Sequence, residues 1–234
     1  MVLSELIQRS PIRIFMNSID GGLKPGELGL IASPSGIGKT SVLVQIALDK
    51  LLNGKKVIHI SFAQHTDYVL SWYEHIFDEF IRKKNLENED DVKKDIVKNR
   101  VLMKFNQEGL AVDQILKSIR ALIKDGGFGA DAVIVDGFSF SPASEGHVAA
   151  FKAFAAEMGV SVWYSCTVKG EEPLYDKRNI PLVIKDYAEL FDAVIVLGPK
   201  SDHIALTVSR VRDAYNLEHL ALKLDPKTLL ILEG

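Results

Sequence analysis

Cysteine is almost missing from this chain, with Cys166 the single example in 234 residues. That excludes an intrachain disulfide and any zinc site built on cysteines, and the usage suits a reducing cytoplasm. The six histidines, His59, His65, His75, His147, His203 and His219, are scattered and fall into no zinc-ligand spacing. No apolar run approaches the ~20 residues of a membrane helix. The opening Met1–Ser10 has neither the basic start nor the continuous apolar core of a signal peptide, so the expectation is a soluble, cytoplasmic protein. A basic excess is missing too: the formal net charge is -3, whereas a protein devoted to gripping nucleic acid usually carries a positive balance. With no internal repeat, low-complexity tract or linker in view, residues 1–234 read as one domain.

What remains is ordinary globular composition, 47% hydrophobic and 25% charged, arranged as short β-branched runs alternating with helical patterns. That alternation predicts an α/β fold with a mostly parallel sheet and helices on its faces. The expected strands are Leu28–Ala32, Lys56–Phe62, Arg100–Phe105, Ala132–Val135 and Val160–Thr167. Helices are expected from Lys39 to Leu52, along Val69, Trp72, Tyr73, Ile76, Phe77 and Phe80, along Val112–Ile123, and over His147–Met158. The charged stretch Arg82–Arg100 reads as a solvated helix or loop. Four further strands, Phe191–Leu197, His203–Arg212, Leu220–Leu224 and Thr228–Leu232, are joined by tight turns and predict C-terminal antiparallel hairpins.

The most specific segment is Ser33-Pro34-Ser35-Gly36-Ile37-Gly38-Lys39-Thr40, set between a strand and a helix. It matches the phosphate-binding pattern Gly-x-x-x-x-Gly-Lys-Thr except that Ser33 replaces the first glycine. Backbone N–H groups curled around an anion need glycine's conformational freedom, and the following helix N-terminus adds donors and partial positive charge. The expected cofactors are ATP and Mg²⁺. Residues Ser33 to Ser41 form the binding loop, Lys39 reaches the β- and γ-phosphates, and the Thr40 hydroxyl joins the Mg²⁺ shell. Asp136, closing the apolar run Ala132-Val133-Ile134-Val135, is expected to hold Mg²⁺ through water from the C-terminal end of its strand.

The leader Gly21-Gly22-Leu23-Lys24-Pro25-Gly26-Glu27-Leu28 together with Ser33–Thr40 resembles the RecA/KaiC-like ATPases, including the core of DnaB-type replicative helicases. The resemblance implies a RecA-like P-loop NTPase fold in which the Val160–Thr167 strand lies between the Leu28–Ala32 strand and the one ending at Asp136. It also implies that Arg210 and Arg212, in Val208-Ser209-Arg210-Val211-Arg212, act on the γ-phosphate of a neighbouring subunit, so a homo-oligomer is expected. As alternate strand residues they are expected to emerge on one face. Two departures bear on hydrolysis. The strand after the loop's helix ends Ser61-Phe62-Ala63-Gln64, so Ala63 stands where a catalytic glutamate is expected, and Gln64 can orient a water but cannot take its proton. The sensor position on Val160–Thr167 is assigned to Cys166. The expectation is therefore an ATP-binding protein with weak or partner-dependent hydrolysis. The alternatives are a non-hydrolysing nucleotide sensor or scaffold for a protein partner, and a DNA-repair accessory using loops 137–148 and 168–184.

Overall fold

The computed structural model describes residues 11–62, 66–84, 89–107, 111–170, 172 and 174–233. Helix α1 (Pro11–Asn17) precedes strand β1 (Leu28–Ser33), helix α2 (Lys39–Leu52) and strand β2 (Val57–Ser61). Helices α3 (Thr66–Lys84) and α4 (Glu89–Lys98) lead to β3 (Arg100–Lys104), α5 (Val112–Lys124) and β4 (Ala132–Asp136). A 3₁₀ turn (Pro142–Ser144) opens into α6 (Glu145–Met158), followed by β5 (Ser161–Thr167) and a 3₁₀ stretch (Leu182–Leu190). Strands β6 (Ala193–Pro199), β7 (Ile204–Val211), β8 (Ala214–Leu224) and β9 (Ile231–Glu233) complete the chain.

These strands form one sheet in the order β3-β2-β4-β5-β1-β6-β7-β8-β9. Strands β3 to β6 pair in parallel, and β6 to β9 run antiparallel as hairpins. The central strands are buried along their whole length, which is why they read as unbroken apolar runs. Strand β5 lies between β1 and β4, the order the resemblance implied.

Two apolar layers sandwich the sheet. One holds Ile31, Val57, Ala132 and Ile134 against α1, α2 and α3, with Val69, Tyr73, Ile76 and Phe77 supplying the buried stripe of α3. The other holds Leu30, Ile58, Val133, Val135 and Cys166 against α5, α6 and the second 3₁₀ stretch. Helix α2 lies almost wholly inside, with nearly every residue from Ser41 to Leu51 buried. Its polar side chains are accordingly paired: Asp49 meets Arg13 at 3.0 Å, and the Gln45 amide donates to Leu229 O and accepts from Ile231 N–H. Those bonds tie the C-terminal segment to α2.

Where sequence patterning left a helix or a loop open, α4 forms a helix. Its acidic first turn, Glu89, Asp90 and Asp91, and the basic Lys98 in its last turn suit the helix dipole, while Ile96 alone is buried. Helix α1 has seven residues, too few to show periodicity, yet it buries Ile12, Phe15 and Met16.

Candidate functional site

The site lies where β1 runs into α2. Gly36 and Gly38 take φ of 79° and 105°, values a side chain disfavours. Gly38 carries a second constraint, since a Cβ there would lie 2.6 Å from the Leu224 side chain. It is also the N-cap of α2 and offers no side-chain acceptor, so the helix's first N–H groups face the loop without a cap.

Lys39 is held inward, at 7% exposure. Its ammonium donates to Ser33 O at 3.1 Å, Ser33 Oγ at 3.2 Å and Pro34 O at 2.8 Å. Burial lowers its pKa, and the nearby Cys166 and Asp136 act in the opposite direction.

Asp136 is brought to α2 by the pairing of β4 and β5 beside β1. Its Oδ2 accepts from the Thr40 hydroxyl at 2.9 Å across 96 residues of sequence. Its Oδ1 accepts from Ser165 Oγ at 2.6 Å, and Gly137 N–H donates to that same Ser165 oxygen at 2.9 Å. Ser165 is a site residue that sequence reasoning missed. Cys166 instead packs in the opposite apolar layer, fully buried, where burial pushes its thiol up to about 12. Strand β5 is buried on both faces, and although Ser161, Ser165 and Thr167 share one parity, Trp163 breaks the pattern on that face, so the alternation is too weak to mark which residue faces α2.

Next to Asp136, β2 contributes a buried histidine. His59 is fully buried and its Nδ1 lies 3.1 Å from the Tyr73 hydroxyl. Its Nε2 has no partner among the described residues. Burial pushes His59 down to about 4, which keeps the ring neutral at ordinary pH. Strand β2 ends at Ser61, in register with Asp136. Ala63 and Gln64 lie outside the described residues.

Arg210 and Arg212 do not emerge together. Arg210 is 5% exposed and points at the end of the second 3₁₀ stretch, where it donates to the carbonyls of Ala188 at 3.0 Å, Glu189 at 3.2 Å and Phe191. Strand β7 stops at Val211, which pairs with Ala214, so Arg212 and Asp213 form the two-residue turn. Arg212 adopts φ 48° there and bridges to Asp20 at 2.8 Å and Glu27 at 3.0 Å. The same-face expectation thus gives way to the turn. A two-residue hairpin with positive φ is usually announced by Asn-Gly or Asp-Gly, which Arg-Asp does not resemble.

The loop after β4 is tied down by its own rings. Phe138 stacks on His147 with centroids 4.0 Å apart, and Phe140 contacts Phe138, Tyr164 and Phe191. Gln107 bonds Ser139 in both directions, at 2.7 and 2.9 Å. In the loop after β5, Asn179 donates to Ser209 at 2.9 Å, and the Arg178 guanidinium sits 4.5 Å from the centre of the Tyr215 ring.

Among the described residues, no group of three or more His, Cys, Asp or Glu side chains gathers as a metal site, and no helix is long and apolar enough to cross a membrane. No family model matches the chain. Over 45 residues it is 49% identical to DNA repair protein RadA of Aquifex aeolicus (strain VF5), and this match spans 19% of the chain and 10% of RadA's length. The likeness is confined to that segment, and it suggests a relation to the RecA family.

Proposed function

We propose that this chain is a RecA/KaiC-like P-loop domain that binds ATP with Mg²⁺ and hydrolyses it weakly, or only with a partner. The observation that carries the reading is the meeting of Thr40 with Asp136 at 2.9 Å, beside an inward lysine and at an uncapped helix N-terminus. A hydroxyl, a carboxylate, an ammonium and free N–H groups converge there, the donor set that a magnesium–polyphosphate complex needs. Thr40 and Asp136 would hold the cation, with phosphate oxygens and water completing its shell, because the described residues offer no cage of carboxylates. When bound, the ion would neutralise phosphate charge. The chain's own part is to orient: Ser33–Ser41 fix the phosphates, and Ser165 fixes the carboxylate.

Weak turnover follows from the residues beyond β2, where Ala63 and Gln64 offer no carboxylate to accept a proton. A homo-oligomer belongs to the same proposal. Of the two late arginines, Arg212 is the one at the surface that a neighbour's phosphate would recruit. A second reading, a nucleotide-dependent sensor or scaffold for a protein partner, draws on the same absence of a base. The segment shared with RadA supports the RecA relation and leaves a DNA-repair accessory as the third.

The test is isothermal calorimetry of the purified chain with ATP and ADP, with and without Mg²⁺, alongside phosphate release on the same sample. Micromolar Mg²⁺-dependent binding with slow release supports the first reading. Binding with no release supports the sensor. No binding of either nucleotide would sink both.

A further inference from the structure

We infer that Ser33, the residue standing where the phosphate-loop pattern has its first glycine, is a positioning residue that holds Lys39 in a retracted, fully bonded state which bound phosphate must displace. The inference rests on the nucleotide-binding reading above.

An ammonium has three N–H donors and no acceptor. In this chain all three are directed at the first two residues of the loop: Ser33 O at 3.1 Å, Ser33 Oγ at 3.2 Å and Pro34 O at 2.8 Å. Two of these acceptors are backbone carbonyls that a glycine would also supply. The third exists only because residue 33 carries a hydroxyl. Its own proton is committed elsewhere, since Ser33 Oγ donates to Pro34 O at 2.9 Å, so the oxygen faces Lys39 as an acceptor. Ser33 is fully buried, and its carbonyl also accepts from Val168 N–H of the strand-following loop at 3.0 Å. The backbone of Ser33 is fixed by the Val168 bond, and its side chain is held by close packing and by the hydroxyl's bond to Pro34 O.

The consequence concerns binding. A phosphate oxygen approaching Lys39 finds no free N–H, so at least one bond to the loop must break before the new one forms. With glycine or alanine at position 33, one donor of a largely buried ammonium would stay unpaired until the anion arrived. That vacancy raises the free energy of the empty state and leaves the occupied state nearly unchanged, so affinity rises. Ser33 thus competes with phosphate for the Lys39 ammonium and weakens the phosphate grip.

The experiment measures ADP and ATP affinity by calorimetry for wild type, Ser33→Ala and Ser33→Gly, each in the Lys39 and the Lys39→Ala background, with melting temperature recorded for every variant. Both Ser33 substitutions are expected to tighten binding by about 3- to 10-fold, the effect of one hydrogen bond, with melting of the empty protein unchanged or lowered. The gain should vanish when Lys39 is alanine, because the coupling runs through the ammonium. A purely structural serine would lower melting and weaken binding together. Unchanged or weaker binding in both Ser33 variants, or an equal gain without Lys39, would overturn the inference while leaving nucleotide binding intact. Failure of the wild type to bind either nucleotide would instead remove the reading on which it rests.

Discussion

Ser165 donates to Asp136 Oδ1 at 2.6 Å while Thr40 donates to Asp136 Oδ2 at 2.9 Å, so the two oxygens of one carboxylate are held from opposite sides. A carboxylate fixed in this way has a set orientation toward the start of α2. Asp136→Asn should therefore cost about 10- to 100-fold in Mg²⁺-dependent nucleotide affinity, the range for disturbing a metal's supporting residues. Binding without Mg²⁺ should stay level or improve, because a negative charge near the phosphates is gone. Ser165→Ala should shift the same Mg²⁺ titration in the same direction by less. An Asp136→Asn protein that titrates with Mg²⁺ like wild type would dissociate this residue from any cation.

Lys39→Ala should weaken ATP binding by at least several-fold. The fold should survive, because what is lost is one set of hydrogen bonds at the loop and no apolar core. Calorimetry measures the first effect and circular dichroism with melting the second. Unaltered affinity in a folded variant would remove the phosphate-loop assignment.

Turnover of the isolated chain should fall well below the enzyme median of about 10 s⁻¹. A missing general base costs roughly 10²–10⁴-fold, and Ala63→Glu should recover part of it. Fast phosphate release by wild type would mean that another group takes the proton.

Arg210→Ala should destabilise the chain by about 1–3 kcal/mol, since the buried Phe191 carbonyl loses the guanidinium donor and the Ala188 carbonyl keeps only the Phe191 N–H. For a domain of this size that corresponds to a melting shift of roughly 2–4 °C per kcal/mol. Arg212→Ala should cost less, because its partners Asp20 and Glu27 remain within reach of water. Sedimentation velocity with ATP, with ADP and without nucleotide then isolates any assembly role: loss of ATP-dependent association on Arg212→Ala alone supports a neighbour contact at the turn. Equal melting for wild type and Arg210→Ala would contradict the inward guanidinium.

Stability should decline as pH falls from about 6.5 toward 4. His59 and His147 are both pushed down to about 4 by burial, so the unfolded chain takes up protons in this window while the fold does not. The sign follows: this contribution is complete above the unfolded pKa and is lost as pH drops toward the folded one. For fully buried His59 the effect is on the order of 3 kcal/mol. Urea titrations at pH 7, 6 and 5 should show it, and His59→Phe should flatten the slope. A wild-type slope of zero would contradict the neutral buried imidazole.

Much of the architecture was legible along the chain because its determinants are local. Ala132–Asp136 announces a strand by an unbroken apolar run ending in a carboxylate, and α3 shows its buried stripe at helical spacing. Ser33–Thr40 carries its glycines where positive φ is needed. These features depend on a residue and its near neighbours, so spacing and residue type by themselves determined an α/β fold, an antiparallel C-terminal extension and a candidate anion-binding loop.

Tertiary structure decided the rest, for reasons of register and distance. Whether Ser165 or Cys166 faces Asp136 is a parity question, and because β5 is buried on both sides and Trp163 shares the face of Ser161 and Ser165, its alternation is too weak to answer it. Whether Arg210 points outward depends on the second 3₁₀ stretch, about 20 residues upstream, which places three carbonyls in its path. Arg212 parts from Arg210 because it lies in the β7–β8 turn itself, at φ 48°, in an Arg-Asp pair that does not advertise positive φ. The pairing of Thr40 with Asp136 spans 96 residues and exists only because β5 and β1 set β4 beside α2. Local sequence specified which groups the site contains, and the packing of distant strands specified which of them meet.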